Sequence, residues 1–325
     1  MSDGAAACSQ VTGYDIIGDI HGCGSLLVCL LHKLGYQEQD GVFRHRERQV
    51  IFLGDLIDRG PEIRATVELV RAMVENGAAL MVLGNHEYAA ITHSTPAPAD
   101  FGRPFLKRHT PRLKRMLAET LAEFAGREAE WLDLVAWWRT LPLYLEFANF
   151  RVVHACWDDE KIADLNRLSP AHNLLDDNFL RNSVQPGSSE NRIVERLLKG
   201  TDMPLPEGMK IRSADGVARD RFRTKFWKAQ PQTYADIVFQ PDRIPGHLLR
   251  KKISPSERQR LVHYGAGEPL LFVGHYWRRG TPRLIRDNIV CLDYGAVNHG
   301  KLVAYRIDIQ DKALDEGRLI WVSGQ

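Results

Sequence analysis

The stretch Tyr14-Asp15-Ile16-Ile17-Gly18-Asp19-Ile20-His21-Gly22 decides how this 325-residue chain is expected to fold. It consists of a short apolar run, a glycine, and then a carboxylate and an imidazole. Such a run predicts a buried strand, and the glycine after it lets the chain turn sharply. Side chains beyond the turn then lie at the carboxyl edge of a sheet, where open α/β folds place their functional sites.

The same arrangement occurs twice more along the chain. Residues 49–53 lead into Gly54-Asp55-Leu56-Ile57-Asp58-Arg59-Gly60, and residues 79–83 lead into Gly84-Asn85-His86-Glu87. Carboxylate and imidazole groups together suit divalent metals, and the amide oxygen of Asn85 favours a hard or borderline ion. A single Gly-Asp turn usually carries only a solvated carboxylate. Three such turns in order, each after a strand, predict a two-metal site.

These motifs, Gly-Asp-x-His-Gly, Gly-Asp-x-x-Asp-Arg-Gly and Gly-Asn-His-Glu, resemble the signature of the phosphoprotein-phosphatase branch of the calcineurin-like metallophosphoesterases. That family has two further metal histidines, and this chain offers His154 and His275, each after an apolar run. The resemblance covers residues 14–157 and 268–306. It implies an α/β fold in which two mixed β-sheets are sandwiched between helices, a four-layer αββα arrangement.

The resemblance also implies which side chains hold metal. One ion would be bound by Asp19, His21 and Asp55. The second would be bound by Asp55, Asn85, His154 and His275, so that Asp55 bridges the two ions. The expected cofactors are therefore two divalent metal ions, with Mn²⁺ as the first choice and Fe or Zn as alternatives.

The remaining motif residues are assigned to catalysis. A hydroxide shared by the two ions would attack phosphorus directly. His86 would protonate the leaving group, because an imidazole titrates near neutral pH, and Asp58 would hold its ring in the productive tautomer. Arg59 and Asn85 would bind the substrate phosphate, Arg59 through its planar guanidinium.

One motif position departs from the family pattern and leaves the substrate open. Protein phosphatases of this branch often carry an arginine two residues before the motif asparagine, where this chain has Leu83. The first expectation is a phosphatase acting on a phosphomonoester, with protein serine/threonine phosphatase as one form. The alternatives are hydrolysis of a dinucleoside polyphosphate such as diadenosine tetraphosphate, and a nucleic-acid end phosphatase. A catalytically silent binding module is disfavoured by the intact set of metal and acid residues.

Composition limits the partners and the compartment. A net charge of +2, with 44% hydrophobic and 26% charged residues, is ordinary for a globular protein and gives no strong nucleic-acid signal. Residues 1–10 lack signal-peptide character, and no apolar run approaches the length of a membrane span. The five cysteines are sparse and unpatterned, which is typical of reduced thiols. We therefore expect a cytoplasmic protein whose partner is a phosphorylated substrate, namely a phosphoprotein, a nucleotide or a small phosphoester, and no membrane.

Apolar spacing predicts the elements that support the motifs. A helix capped by Ser25 and ended by Gly35 follows the first motif, and another from Ile63 to Val74 follows the second. With the strands, they predict a parallel βαβαβ unit. Further expected elements are one helix spanning Leu113 to Phe124, another spanning Trp131 to Trp138, a hairpin of Leu143–Phe147 with Arg151–His154, and strands at Leu270–Val273, Ile289–Asp293 and Leu302–Ile307.

The polar, proline-rich region 158–260 predicts an insertion into the core. We expect residues 1–325 to form a single domain with 158–260 as an inserted cap, because the core needs both flanks to complete its site. Within the cap, Arg219, Arg221, Arg223 and Lys225 alternate with other residues. On one strand they would share a face, either lining the cleft or lying in solvent.

Overall fold

The computed structural model describes residues 11–169, 176–206, 208–212, 218–239, 244–297 and 299–324, so the predicted leader at 1–10 lies outside the described residues. In chain order, the first half contains β1 (Gly13–Ile17), α1 (Gly24–Leu34), β2 (Gln37–Gln39), β3 (Val42–Arg44), β4 (Arg48–Phe52), α2 (Ile63–Glu75), β5 (Ala79–Met81), α3 (Asn85–Ser94), α4 (Pro111–Met116), α5 (Ala118–Glu123), α6 (Glu128–Trp138), β6 (Tyr144–Glu146) and β7 (Phe150–Val153). The second half contains α7 (Asp159–Leu168), α8 (Asp177–Ser183), α9 (Ser189–Lys199), β8 (Thr201–Pro204), β9 (Ile211–Arg212), β10 (Ala218–Arg219), β11 (Arg221–Thr224), α10 (Tyr234–Ile237), α11 (Gly246–Leu249), α12 (Pro255–Arg258), β12 (Leu270–Val273), β13 (Ile289–Cys291), β14 (Asp293–Tyr294), β15 (Lys301–Asp308) and β16 (Leu319–Ser323).

The first sheet is built around the predicted βαβαβ unit. Its strand order is β14-β15-β1-β4-β5, and β16 pairs antiparallel with Lys301–Tyr305 of β15. Strands β1, β4 and β5 run parallel, as expected. Strand β15 runs antiparallel to β1, with Ile17 opposite Ala304, so the sheet is mixed.

The second sheet has the order β13-β12-β7-β6. The hairpin β6–β7 is antiparallel, with Tyr144 opposite Val153, while β12 runs parallel to both β7 and β13. The predicted hairpin and the second mixed sheet are therefore confirmed.

The four layers arise because side chains along each strand point alternately to the two faces of its sheet. Ile16 and Val152 lie in an apolar core that packs the two sheets against each other. Their chain neighbours Ile17 and Val153 belong to a second core, which includes the buried faces of α1, α2, α6 and α9. Successive strand residues point to opposite faces, so each sheet buries one face against the other sheet and one against helices. The fold class predicted from the sequence is confirmed.

Two predicted elements are divided in the structure. The helix expected from Leu113 to Phe124 is two short helices, α4 and α5, that meet at Leu117, whose backbone caps both of them. The strand expected at Ile289–Asp293 is also two strands, β13 in the second sheet and β14 in the first. The chain changes sheets at Leu292, whose N–H still donates to Val273 at 2.8 Å. A single apolar run cannot reveal such a change, because both halves remain buried.

One helix start also differs from the prediction. Helix α1 begins after Cys23, and Ser25 is its second residue rather than its cap. The Ser25 N–H and hydroxyl donate instead to the carboxylate of Glu62, at 2.8 Å and 2.5 Å. The predicted end at Gly35 is confirmed by a left-handed φ of 91°.

The region predicted to be a cap contributes to two different cores. Helices α7 and α9 pack Ile162 and Leu197 into the core that covers the second sheet. Residues from Met203 to Ile253 form a separate small core around Phe222 and Tyr234. The extent of the cap, 158–260, remains a prediction. Among the described residues, none of the helices combines the length and the apolar character needed to cross a bilayer.

A buried ionic network joins the central strands of the first sheet. Asp15 on β1 has a fully buried side chain. Arg306 on β15 donates to both its oxygens, at 2.8 Å and 3.0 Å. Arg48 on β4 lies 3.4 Å from it and also pairs with Asp308 at 2.6 Å. Two guanidinium groups therefore share one buried carboxylate.

We expect Asp15→Asn to lower the free energy of unfolding by about 3 kcal/mol, because Arg306 loses its carboxylate partner and the largely buried Arg48 keeps only Asp308. Urea denaturation measures the change. Asp164→Asn is the matched control, since Asp164 pairs with Lys161 and Arg167 on the surface of α7, and its loss should cost no more than about 1 kcal/mol. Equal stabilities of the two variants would contradict a structural role for the network.

Candidate active site

The turns after the strands are held in an uncommon backbone conformation. Positive φ values occur at five residues of these turns: 48° at His21, 52° at Asp55, 68° at Asp58, 72° at Arg59 and 60° at His275. Positive φ is uncommon for residues other than glycine, costs free energy, and clusters at functional sites. The strained backbone of these turns therefore fixes the directions of the motif side chains, and this costs free energy locally.

Glu87 ties the second and third turns together. Its carboxylate accepts from the N–H groups of Asp55 at 2.8 Å, Leu56 at 2.7 Å and Gly84 at 3.2 Å. Burial, and next the charge of Asp55, raise the pKa of Glu87 to about 7. Glu87 belongs to the Gly-Asn-His-Glu motif, but no role was predicted for it. Its position three residues after Gly84 at the start of α3 is that of a capping-box glutamate, which is the signal that could have identified it.

Two glycines allow the carboxylates to pack directly against the backbone. A Cβ on Gly84 would lie 2.3 Å from an oxygen of Asp55, and one on Gly274 would lie 2.1 Å from an oxygen of Asp19. Any other residue at either position would displace the carboxylate, so these glycines shape the site.

Two histidines are oriented by backbone carbonyls. His21 Nδ1 lies 2.8 Å from the oxygen of Ile57, and His154 Nδ1 lies 2.7 Å from the oxygen of Leu53. Such a bond places the proton on Nδ1 and directs the Nε2 lone pair into the site, as metal-binding histidines require. The Nε2 atoms lie 3.8 Å and 3.5 Å from Asp55 Oδ2.

The ligand atoms form two groups that share Asp55. One contains His21, Asp55 and His86, and the other contains Asp55, His154 and His275, with the atoms of each group within 4.8 Å of one another. His275 Nε2 is buried and has no hydrogen-bond partner among the described residues. Converging imidazole nitrogens around a shared carboxylate fit divalent metal ions.

Two predicted metal ligands lie at the edges of these groups. Asn85 Oδ1 is 3.2 Å from His154 Nε2, on the side of the second group. Asp19 accepts from the His275 N–H at 3.1 Å. The assignment of Asp19 to the same ion as His21 thus stays a prediction, because His86 is the third member of the group around His21.

The charges of the site favour a cation. Burial, and next the carboxylate of Asp293, raise the pKa of Asp19 well above its usual value. Burial would likewise raise the pKa of Asp55, but His154 and His86 outweigh it and lower this pKa. Burial opposes protonation of His154, yet the Asp55 carboxylate raises the pKa of His154 to about 10. No motif marks Asp293 in the sequence, and it was not predicted as a site residue. Its carboxylate accepts from the Gly295 N–H at 3.0 Å.

The proposed acid and its orienting group form a buried chain. His86 Nδ1 lies 2.5 Å from Asp58 Oδ2. Thr120 accepts from the Asp58 N–H at 3.0 Å, and its hydroxyl donates to the other Asp58 oxygen. Thr120 lies on α5, 62 residues from Asp58, and has no motif around it, so nothing in the sequence pointed to it.

Arginine side chains lie at both ends of the cluster. Arg59 is exposed, and its guanidinium nitrogens lie 2.9 Å from His21 Nε2 and 3.1 Å from His86 Nε2. Arg223 reaches the carbonyl of His275 at 3.3 Å from the other end. Burial lowers the pKa of both His21 and His275. The next largest cause is the positive charge of the nearby arginine, which is Arg59 for His21 and Arg223 for His275.

The other cap cations do not share this position. Arg221 makes a two-point pair with Asp202, at 2.7 Å and 2.6 Å, with both side chains about half exposed. Arg219 belongs to β10, which pairs β9 in a different sheet. The single strand expected at 219–225 is therefore divided, and Arg223 is the cation on it that contacts a proposed metal ligand.

Comparison with known proteins places this site in a family context. The family model for calcineurin-like phosphoesterases matches residues 14–211. An asymmetrical bis(5'-nucleosyl)-tetraphosphatase, PrpE, of Oceanobacillus iheyensis is 33% identical over 147 residues, which is 43% of this chain and 54% of that protein. A symmetrical bis(5'-nucleosyl)-tetraphosphatase of Marinomonas sp. is 35% identical over 161 residues, or 46% and 48% of the two chains. This chain thus spans about half the length of the curated relatives it matches.

A solved structure supports the fold. A protein serine/threonine phosphatase of Saccharomyces cerevisiae superposes with a TM-score of 0.50 and 12% identity, over 98% of this chain and 81% of that one. At this identity the likeness concerns the fold alone.

We expect the purified protein to contain two divalent ions per chain by elemental analysis, and chelation to lower its unfolding temperature. An ion that binds only the folded state raises the free energy of unfolding, and its removal by a chelator therefore lowers that free energy again. Adding Mn²⁺ back should restore the temperature.

Asp55→Asn should abolish the Mn²⁺-dependent rise, since Asp55 belongs to both ligand groups. His45→Asn is the control, because His45 lies outside both groups and should leave the rise intact. An Asp55→Asn protein that keeps both ions would contradict the bridging role.

Proposed function

Because this chain belongs to the calcineurin-like phosphoesterase family, we propose that it hydrolyses dinucleoside tetraphosphates at the Asp55-centred site. The protein is a metal-dependent phosphoesterase, and the family uses a binuclear divalent metal centre. The substrate, the metal and the residue roles are the proposal. The relatives named as bis(5'-nucleosyl)-tetraphosphatases support the substrate class.

The positions of Arg59 and Arg223 are the main support for a substrate with several phosphates. One guanidinium lies beside His21 and His86, and the other lies beside His275. A single phosphoryl group at the centre needs only one of them. A chain of four phosphates extends beyond the centre and supplies oxygens to a second guanidinium, which binds phosphate through two parallel hydrogen bonds.

Leu83 favours this substrate over the protein-phosphatase interpretation. Its side chain is fully buried in the core of the protein, and its N–H donates to Pro142 at 2.9 Å. It therefore cannot supply the phosphate contact that an arginine makes at this position in protein phosphatases, and the cation comes from the cap instead. The sequence-based first choice, a phosphomonoesterase acting on proteins, is consequently less well supported than its alternative.

The residues around the centre have distinct roles in the proposed reaction. Bound at the two ligand groups, divalent ions supply Lewis-acid activation of water and of the phosphoryl oxygens, and we take Mn²⁺ as the first candidate. Asp55 with His154 and His275 would hold one ion, and Asp55 with His21 and a further ligand the other. Arg59 at the mouth orients the reacting phosphate.

His86 is positioned to give a proton to the departing phosphate oxygen. Asp58 accepts the Nδ1 proton of His86, so Nε2 faces the site. Thr120 fixes the Asp58 carboxylate. Thr120 is a positioning residue, because it acts on His86 only through Asp58.

The cysteines are consistent with a cytoplasmic location. Cys23, Cys29, Cys156 and Cys291 are free thiols. Burial raises the pKa of Cys23 to about 11 and that of Cys156 to about 12, which leaves both protonated and unreactive. We propose that the enzyme acts in the cytoplasm.

Arg223→Gln should lower kcat/KM on diadenosine tetraphosphate by roughly tenfold or more, the effect of losing one charge-assisted hydrogen bond. Nitrophenyl phosphate has a single phosphate, so its kcat/KM should change by less than about twofold. Arg221→Gln is the matched control on the same strand, and it should leave both substrates unchanged, since Arg221 is paired with Asp202. An equal loss on both substrates would show that Arg223 does not recognise a second phosphate, and no turnover of the dinucleotide by the native enzyme would refute the proposed function.

His86→Asn should slow hydrolysis of diadenosine tetraphosphate by roughly 10²- to 10⁴-fold, the range for losing a general acid. The loss should be smaller for nitrophenyl phosphate, whose leaving group needs less protonation. Thr120→Val should show a smaller loss with the same dependence on the leaving group. If the loss for His86→Asn is equal for both leaving groups, His86 is not the proton donor.

A further inference from the structure

The segment between α3 and α5 carries a concentration of positive charge that the proposed reaction does not use. Residues 101–118 contain no Asp or Glu and six Lys or Arg, namely Arg103, Lys107, Arg108, Arg112, Lys114 and Arg115. None of the six makes an ion pair with a carboxylate in the described part of the chain. By contrast, Arg71 and Arg306 are each paired with carboxylates. Like charges at this density repel one another unless an anion joins them.

Three of these cations line a cavity of about 290 Å³. Arg103, Lys107 and Arg108 line it together with Phe105 and His109. A volume of this order lies at the small end of the range of ligand pockets. The lining combines three positive groups with two aromatic rings, so it differs from an ordinary solvated basic surface.

Two of the cations are partly buried. Burial, and next the charge of Lys199, lower the pKa of Lys107 to about 8, and its ammonium lies 5.5 Å over the ring of Tyr88. The nearby carboxylate of Glu195 is paired with Lys199. The Nε of Arg103 is buried and has no hydrogen-bond partner within the described part of the chain. Desolvated cations of this kind gain most from a bound anion.

The aromatic part is a stack of three rings. The ring of His109 lies 3.8 Å from that of His93 and 4.6 Å from that of Phe105, at angles of 7° and 15°. His109 Nε2 lies 2.9 Å from the carbonyl of His93, which holds the ring in place. Phe105 and His93 are farther apart, at 6.3 Å, so His109 is the middle ring and Phe105 is an outer one. The partly buried ring of Phe105 thus offers a flat apolar surface in the wall of the cavity.

We propose that this cavity is a second nucleotide-binding site, which takes a nucleoside phosphate with its base on the Phe105 ring and its phosphates on Arg103, Lys107 and Arg108. Flat aromatic surfaces beside cations bind bases by stacking and phosphates by charge. His86 and His93 are seven residues apart on α3, so the cavity is displaced from the metal-ligand cluster by about 10 Å along that helix. The proposal does not depend on which phosphoester the central site hydrolyses.

The test measures nucleotide binding to the metal-loaded protein by calorimetry, with a non-hydrolysable β,γ-methylene analogue of ATP. We expect two sites on the native protein and one on Arg103→Gln/Arg108→Gln, while hydrolysis of nitrophenyl phosphate stays unchanged in both. Arg127→Gln/Arg167→Gln is the control with equal loss of charge. Arg127 and Arg167 are exposed and paired with Glu130 and Asp164, and that variant should keep both sites.

A second variant separates the base from the phosphates. Phe105→Leu should weaken the nucleotide analogue at the second site by about tenfold and leave inorganic triphosphate unaffected. The proposal is overturned if the double arginine variant binds as many nucleotides as the native protein, or if Phe105→Leu weakens neither ligand. It is also overturned if the native protein binds a single-stranded oligonucleotide at this segment but no mononucleotide. Failure to hydrolyse dinucleotides would change the proposed function and leave these binding results as they are.

Discussion

The carboxylate of Glu87 is the constraint on which the geometry of the site depends. It binds the backbone N–H groups of the second turn and of the third, and so fixes the distance between two neighbouring strands' ends. Asp55, whose N–H donates to Glu87, adopts a left-handed conformation. One of its carboxylate oxygens accepts from the His86 N–H at 2.9 Å. The other oxygen remains directed at three histidines. A carboxylate shared by two ligand groups could hold two ions only when its direction is fixed, and here the direction comes from the buried carboxylate of Glu87.

Under the proposed function, the region predicted to be a cap would adapt a common scaffold to a particular substrate. In the proposed reaction the motif turns would provide metal ligands and a proton donor, which serve any phosphoester. Arg223 reaches the centre from β11, whose Phe222 lies in the small separate core. Phe226, just beyond that strand, packs into the main core instead. The strand therefore spans the junction of the two cores, and it can carry a cation to His275 without altering the sheets.

The sequence permitted prediction of the layers, the motif turns and most strands because each depends on local periodicity or on a glycine-bounded turn. The role of Glu87 could have been predicted, since its capping-box position is a local signal. Thr120 was not, because its contact with Asp58 joins residues 62 positions apart through tertiary packing alone. Asp293 was hidden for a related reason: the change of sheets at Leu292 brings it into the site, and an apolar run is equally apolar on either side of that change. Side chains placed by tertiary packing thus escape pattern reasoning, whereas those placed by local turns do not.

The separate core of the 203–253 region has a thermodynamic consequence. An apolar cluster that shares few residues with the sheets can open as its own cooperative unit, with a lower free energy of opening than the whole protein. Arg223 is mounted on this unit, so a substrate that engages Arg223 binds the closed form in preference to the open one. Part of the binding free energy is then spent on ordering the unit, and binding should carry a negative heat-capacity change larger than the contact area alone would give. Discrimination between long and short phosphate chains would in that case decrease with temperature, because the small core becomes less stable relative to the layers beneath it and a long chain would have to spend more of its binding free energy on closing the unit.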